Sequence, residues 1–508
     1  MSGGRHVCFG LVLGAASLMA ARDVSAAAAA PKTIALSSPG NPLVAVRVVF
    51  RVGAVEDPKG KEGLAALTAE MVGHGGSQAR PYAEVLDALY PLAAHIRVTA
   101  DKEATVFEGT VHRDNLAAFA DLIADQVLTP RMAEEDFTRN RQDAVDAITK
   151  TLRGNADEDL GKQAMAALLY AGHPYGYPST GTVAGLQAIT LDDVKAFFAK
   201  HYTRDRLIVG VAGGYPDGFV DGFARRFGAL PPRAPALAKL PRPPKVSKTS
   251  GNHVLIVTKA EARANAVSVG VPIDVTRGDP DFYPLTVARS YLGEHRTFSG
   301  LLMNELRGAR GLNYGDYAYI ENFIQDGWST FPLPNIPRRQ QHFEIWIRPV
   351  APQNTAFALR AALFETDKLI RDGIPADRFE ATKTFLSNYA NLWTQDVSRR
   401  LGYAVDAAIY GKDLVHELQA RLPKMTKADV DRAVRKHLHL SNLAIAVVAQ
   451  EATTLRAALT SGAPTPITYD TEGTPPEVLA KDKLIETFPL GIAPEAVRAV
   501  PVDEMFER

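Results

Sequence analysis

The chain states one structural unit twice. Residues 189–214 read ITLDDVKAFFAKHYTRDRLIVGVAGG, and residues 425–450 read MTKADVDRAVRKHLHLSNLAIAVVAQ. Thr190 aligns with Thr426, Asp193 with Asp429, His201 with His437 and Leu207 with Leu443. Each copy opens with a Thr-x-x-Asp sequence, which places a capping threonine before a helix and an acid at its third position. An amphipathic helix and an apolar strand follow. The spacing is far longer than that of a solenoid repeat, so it marks a duplicated domain. Each half also opens with an alternating strand. In the first half Val44, Val46, Val48, Phe50 and Val52 alternate with Ala45, Arg47, Val49 and Arg51; in the second, Val267, Val269, Val271 and Ile273 recur with the same period of two. Mixed strands and helices in this order predict an α+β fold, two duplicated sandwiches of a sheet with helices packed on it, rather than a doubly wound sheet.

The rest of the chain fits around these halves. The 508 residues are 46% hydrophobic, enough for two sizeable cores. Lys plus Arg and Asp plus Glu each number 57, so no charge bias points to nucleic acid or an anionic membrane surface. Arg5, the apolar run Val7 to Ala21 and the small residues after Ser25 have the layout of a secretory signal. The expected location is periplasmic or secreted. The single cysteine, Cys8, lies in that segment, so the mature chain has neither disulfides nor thiolate metal ligands. No later apolar stretch is long enough for a transmembrane anchor. Six prolines between Pro231 and Pro244 read as a semi-rigid spacer. The expected division is a signal at 1–30, a first domain at 31–230, a linker at 231–250, a second domain at 251–455 and a C-terminal extension at 456–508. The extension has short helical patterns and reads as either a wrap onto a domain or a mobile tail.

Several spaced motifs resemble the pitrilysin-type, or inverzincin, zinc metallopeptidases. After the first strand comes GLAALTAEM, Gly63 to Met71, where that family carries an H-x-x-E-H helix. HPYGYPSTG from His173 is similar to a family loop, and LRGARGLNYGDYAYI from Leu306 continues the likeness, which spans about 33–450. The resemblance implies that the two domains form half of a clamshell, two such halves closing around a peptide chamber. It places the two ligand histidines on Ala66 and Glu70, the glutamate base on Ala69, and the third ligand, a glutamate, on or beside Ala147, next to Asp146. Catalytic zinc needs three protein ligands and an open position for water, with a base beside it. Alanine offers no lone pair, so the chain keeps the helix and lacks the chemistry. Glu70 and His74 are four residues apart, and with Asp143 or Asp146 they outline a replacement metal site. That requires the helix to reach His74; the expectation is that His74 belongs to the following loop HGGS and that Glu70 is a solvated or paired carboxylate.

The second half keeps a different pair. Arg307 and Tyr314 stand seven apart, with Gly311 placed to stop a helix and direct Tyr314. By the resemblance they reach across the chamber to substrate near the zinc of the facing half. A guanidinium fork and a phenol there orient a peptide carbonyl and support developing negative charge. Tyr317 and Tyr319 fall on the opposite strand face and read as packing or chamber lining. His295 reads as a loop residue. In HFEIWIRP, from His342, Phe343, Ile345 and Ile347 read as core. Glu344, Trp346 and Arg348 form a face that lines the chamber, with peptide bound by edge pairing. The expected function is that of a non-catalytic, substrate-binding subunit of a heterodimeric zinc endopeptidase. No metal is expected in this chain; zinc sits in a homologous partner with an intact H-x-x-E-H, and peptides are the substrates. Mitochondrial processing peptidase and some bacterial heterodimers divide labour this way. The alternatives are a structural or peptide-binding protein without catalysis, like the core subunits of the cytochrome bc complex, and an autonomous metallopeptidase with a substituted metal site.

Overall fold

The computed structural model describes Met1 and residues 31–233, 251–294, 297, 299–324, 330–470 and 472–508. The expected signal segment, most of the proline-rich linker and His295 lie outside the described residues. The first sheet contains β1 (Lys32–Ser37), β2 (Leu43–Phe50), β3 (Arg97–Ala100), β4 (Thr105–His112) and β5 (Leu207–Gly213), in the order β1-β5-β2-β4-β3. The second contains β6 (Asn252–Thr258), β7 (Asn265–Ile273), β8 (Asp316–Tyr319), β9 (Gln341–Val350), β10 (Ala444–Ala449) and β11 (Ile492–Pro501), in the order β11-β6-β10-β7-β9-β8. Without β11 the second order repeats the first strand for strand. The alternating strands, β2 and β7, do not open their halves as expected: β1 and β6 precede them and run parallel to the strands after the Thr-capped helices, β1 to β5 and β6 to β10. Both capping boxes form as the sequence predicts: Thr190 and Asp193, and Thr426 and Asp429, exchange side-chain and backbone hydrogen bonds. The fold is α+β and duplicated.

The sequence does not foreshadow that each half lends a helix to the other's sheet. The helix Asp157–Leu169 of the first half packs on β7 and β10, and the helix Val397–Tyr410 of the second packs on β2 and β5. Both faces of each sheet are therefore covered. Val254 and Ile256 of β6 point into the second half's core, whereas Leu255 and Val257 join the core of the first. Two-sided burial explains why β10 reads AIAVVA, apolar throughout, rather than alternating. The helices approach closely because glycine lines the contact. A Cβ on Gly270 of β7 would run into Met165 Sδ, and one on Gly402 would meet Pro334 and the Arg47 guanidinium.

The C-terminal segment wraps onto both halves. The helix Pro476–Ile485 matches the helical pattern, but 492–501 does not: despite its alanines and prolines it forms β11, parallel to β6. Both strand prolines are tolerated because β11 is an edge strand. Beyond it Met505 and Phe506 enter the first half's core. Arg153 donates from Nε to the Met505 carbonyl at 2.8 Å and pairs with Glu507 at 2.9 Å.

Because Met165 fills the space above Gly270, Gly270→Val should overpack the shared core. We expect a loss of about 1–3 kcal/mol, read as a lower denaturant midpoint at unchanged slope. An unshifted midpoint would mean that this helix is not seated on β7.

Candidate functional site

The site is built around the helix Leu64–His74. Its N-terminus has no capping side chain of its own, since the N-cap is Gly63 in a left-handed conformation (φ 109°). Asp57 supplies the cap from the preceding loop. Its two carboxylate oxygens accept from the backbone N–H of Gly63 at 2.8 Å and of Ala65 at 2.7 Å. Burial pushes the Asp57 carboxyl up to about 7, against these two donors and the charge of Lys102, which pull it down. Lys102 is buried. Burial and then the charge of Arg338 lower it to about 7, and its ammonium donates to the Tyr177 carbonyl.

The HPYGYPSTG loop serves this helix start. The Tyr177 hydroxyl donates to the Ala54 carbonyl at 2.8 Å and lies 3.3 Å from Asp57, and Ser179 donates to Asp101 at 2.8 Å. A Cβ on Gly181 would collide with the Glu62 backbone, which is why the loop ends in glycine against the motif helix.

The three positions expected to have lost zinc ligands, Ala66, Glu70 and Ala147, line one pocket of about 440 Å³, together with Asp143, His74, Tyr82 and Arg139. Ala69, where the base would stand, is fully buried and is not among the pocket walls. Asp146 also falls outside the walls and pairs with Lys150 at 2.6 Å. One expectation is corrected. The helix extends through His74, so His74 is not a loop residue, and its Nδ1 lies 2.6 Å from Glu70 Oε2. Arg139 extends the support, donating to the His74 carbonyl at 2.6 Å and pairing with Asp136 at 2.8 Å. Glu70 is thus a paired carboxylate. The residues present do not fit zinc: Ala66 and Ala147 offer no donor atom, and Glu70 and His74 face each other. Among the described residues, no group of three His, Cys, Asp or Glu side chains is arranged to hold a metal ion. Ala147 opens a π-helical turn, Ala147–Leu152, a local widening of the kind common at functional positions.

A second cleft, of about 380 Å³, shares Ala100, Ala147 and Thr180 with the first and runs between the halves to the β9 face. His342, Glu344 and Trp346 line it, while Phe343, Ile345 and Ile347 are core, as the alternation predicts; Arg348, expected on the same lining face, is not among the walls and pairs with Glu158 instead. Lys162 Nζ sits 3.3 Å over the Trp346 ring, and the Tyr170 hydroxyl lies 3.2 Å from His342 Nδ1. Edge pairing on β9 is excluded, because β7 and β8 already occupy both of its sides. Tyr317 and Tyr319 are buried with Phe323 and Trp346 in one aromatic cluster.

Arg307 and Tyr314 come together away from both clefts. Arg307 lies on a second π-helical turn, Met303–Gly308, and Gly311 (φ 63°) ends it, donating to the Arg307 carbonyl at 2.8 Å. The chain then reverses so that the Arg307 guanidinium carbon stands 5.8 Å from the Tyr314 ring centre. Tyr314 is 78% exposed, the reverse of a core aromatic. The sequence names the pair and the pocket positions. It misses Asp57, whose signal, an acid six residues before a glycine N-cap, follows no standard capping spacing.

With this geometry in hand, known proteins sort the chain. Residues 32–182 match the family profile described as insulinase (peptidase family M16), and residues 188–386 match that described as peptidase M16 inactive domain. The chain belongs to peptidase family M16. An uncharacterized zinc protease of Mycobacterium tuberculosis is 25% identical over 363 residues, 71% of this chain and 77% of that protein. In fold, the chain is similar to a peptidase M16 inactive domain from Pseudomonas fluorescens. The TM-score is 0.71 at 20% identity, over 84% of this chain and 96% of that one. A chain of complex III2 from Candida albicans also shares the fold, with a TM-score of 0.65 at 13% identity, over 82% of this chain and 93% of that one. The family is the one that the GLAALTAEM and LRGARGLNY stretches resemble.

Asp57→Ala should leave two helix N–H groups without a partner and cost about 1–3 kcal/mol, measured by chemical denaturation. Asp57→Asn, which keeps one acceptor, should lose less. Equal stability of wild type and Asp57→Ala would remove Asp57 as the cap.

Proposed function

We propose that this chain is the non-catalytic, substrate-holding subunit of a two-chain zinc endopeptidase. One observation carries the reading. The pocket at the metal position has alanine where donors are required, while Arg307 and Tyr314 are held together at an exposed surface. A tyrosine exposed to this degree adds little to packing, and in this position beside Arg307 it is available to a partner's peptide. The guanidinium is a fixed fork of donors and the phenol one directed donor. Against a peptide carbonyl near a metal in the facing subunit they hold the scissile bond in line and stabilise charge as it builds on oxygen. In this reading the partner is a homologous chain with an intact H-x-x-E-H, which supplies zinc and the base. The leading segment directs the protein to the periplasm, and among the described residues no helix is long and apolar enough to cross a membrane.

A second reading, a structural subunit without catalysis, is favoured by the fold shared with the complex III2 chain. Partner-dependent activity separates the two. Purified alone, the chain should hold no zinc and leave a quenched peptide uncut; mixed with the zinc-bearing partner, it should raise cleavage. In that complex Arg307→Ala should lower turnover by about 100-fold and Tyr314→Phe by about tenfold, with zinc content unchanged. Zinc and cleavage in the lone chain would sink the proposal. Full turnover in both variants would favour the structural role.

A further inference from the structure

The loop that presents Tyr314 is tied down by a side-chain clip. Asn313 Oδ1 accepts from the Gly315 N–H at 3.0 Å, bridging directly over Tyr314. Asn313 Nδ2 donates to Asp316 Oδ1 at 2.8 Å and to the Arg348 carbonyl at 3.1 Å. The amide therefore joins both flanks of Tyr314 to the start of β8 and to β9. Asp316 is fully buried, and its Oδ2 is sealed from solvent without a hydrogen-bond partner. The loop has no slack beneath it, since a Cβ on Gly315 (φ 154°) would strike the Tyr317 hydroxyl. Arg348 carries the connection to the other half through Glu158 at 2.9 Å.

An exposed side chain is not fixed by packing, so its placement depends on the backbone that bears it. Here the Asn313 amide spans that backbone and is oriented by the buried Asp316 carboxyl and the Arg348 carbonyl, while the Arg348 N–H reaches the Gly315 carbonyl at 3.4 Å. We infer that Asp316 is a positioning residue for Tyr314, acting through Asn313. The inference rests on the proposed role of Tyr314 toward a peptide in the assembled peptidase.

The clip is sensitive to pH in one direction. Burial pushes the Asp316 carboxyl up to about 8, against the Asn313 hydrogen bond and the charge of Arg348. Three elements pack around β8 and carry the nearby charges. β9 brings Arg348, held by Glu158. The helix Phe282–Leu292 brings Arg289, held by Glu294 at 3.1 Å. The π-helical turn brings Arg307 and Glu305, the latter held by Lys481 at 2.8 Å. The folded value lies above the unfolded one of 3.8. The contribution of Asp316 is therefore complete below the unfolded value and is lost as pH rises through about 8, when the carboxylate must ionise in a dry site.

Hydrogen exchange of the full chain, followed on the peptide covering 312–319, tests this directly. At pH 7 Asp316→Ala should speed exchange of the Gly315 amide by about tenfold, the factor that a lost hydrogen bond corresponds to. Asp316→Asn, neutral and of the same shape, should stay protected. Asn313→Ala breaks the clip from its exposed side and should reproduce the Asp316→Ala result if that variant folds poorly. After correction for intrinsic rates, raising the pH from 7 to 9.5 should loosen the wild-type loop and not that of Asp316→Asn. Wild-type protection in Asp316→Ala, or equal alkaline loosening in Asp316→Asn, overturns the inference. In the assembled peptidase, Asp316→Ala combined with Tyr314→Phe should lose no more turnover than the worse single variant, because both act through one group. If Tyr314→Phe leaves turnover intact, the proposed function fails, whereas the exchange result still decides whether the clip exists.

Discussion

The structure depends on the crossing of two helices. Each half buries its outer sheet face only because the other half supplies a cover, Asp157–Leu169 for the second sheet and Val397–Tyr410 for the first. Leu160, Ala164 and Met165 therefore belong to the same core as Leu255, Val257, Ala446 and Val448. At about 1.5–3 kcal/mol for each large side chain buried, separating the halves would expose more apolar surface than a domain of marginal stability tolerates. β11 and the Met505–Phe506 plug add a second crossing from the same side. The outcome is two sheets whose cores are shared across the halves.

Hydrophobic burial is non-directional, and the orientation of the halves comes from charge. Arg338 reaches Asp101 at 3.2 Å, Arg339 reaches Glu103 at 2.8 Å, and Arg348 reaches Glu158 at 2.9 Å, each pair joining the second half to the first. Arg338 and Asp101 are buried, so their attraction mainly offsets the cost of desolvation. Their effect is geometric. A guanidinium forked onto a carboxylate is satisfied in one arrangement, and the Arg338–Asp101 pair lines the cleft that runs from Ala147 to Trp346. The walls of that cleft are set by the same contacts that fix the halves.

Local signals were legible in the sequence, and exchanged ones were not. The two Thr-x-x-Asp caps are local chemistry and form as written, as do the alternating strands β2 and β7. The pocket positions Ala66, Glu70 and Ala147 could be named only through the family resemblance, because no local pattern brings Ala147 to the motif helix. β11 was hidden because IAPEAVRAVP has no strand pattern of its own and becomes a strand through pairing with β6. His74 was misplaced because two following glycines mark a helix end only to within a residue or two, and its pairing with Glu70 and Arg139 carries the helix one residue further. β9 offered a plausible peptide edge until the sheet order put strands on both sides of it. A sequence displays which face of a strand is apolar, but not what lies beside it.

The motif helix shows how a scaffold stands without the metal that its position suggests. A bound metal would tie the helix to the later π-helical turn through its ligands. Here each end is held by protein groups instead. Asp57 satisfies the first N–H groups, while the Glu70–His74 contact and the Arg139 donation to the His74 carbonyl support the last turn. Alanine at 66 and 69 suits the helix best of all residues, having the highest helix propensity, and Ala69 fits a fully buried site that would penalise a carboxylate. Glu70, set where a ligand would stand, is turned to helix support. Both ends of the helix are thus held by caps and pairs of the chain itself. The clip under Tyr314 follows the same rule, since a phenol at an exposed loop tip could serve the proposed role only when its position is set to within a fraction of an ångström.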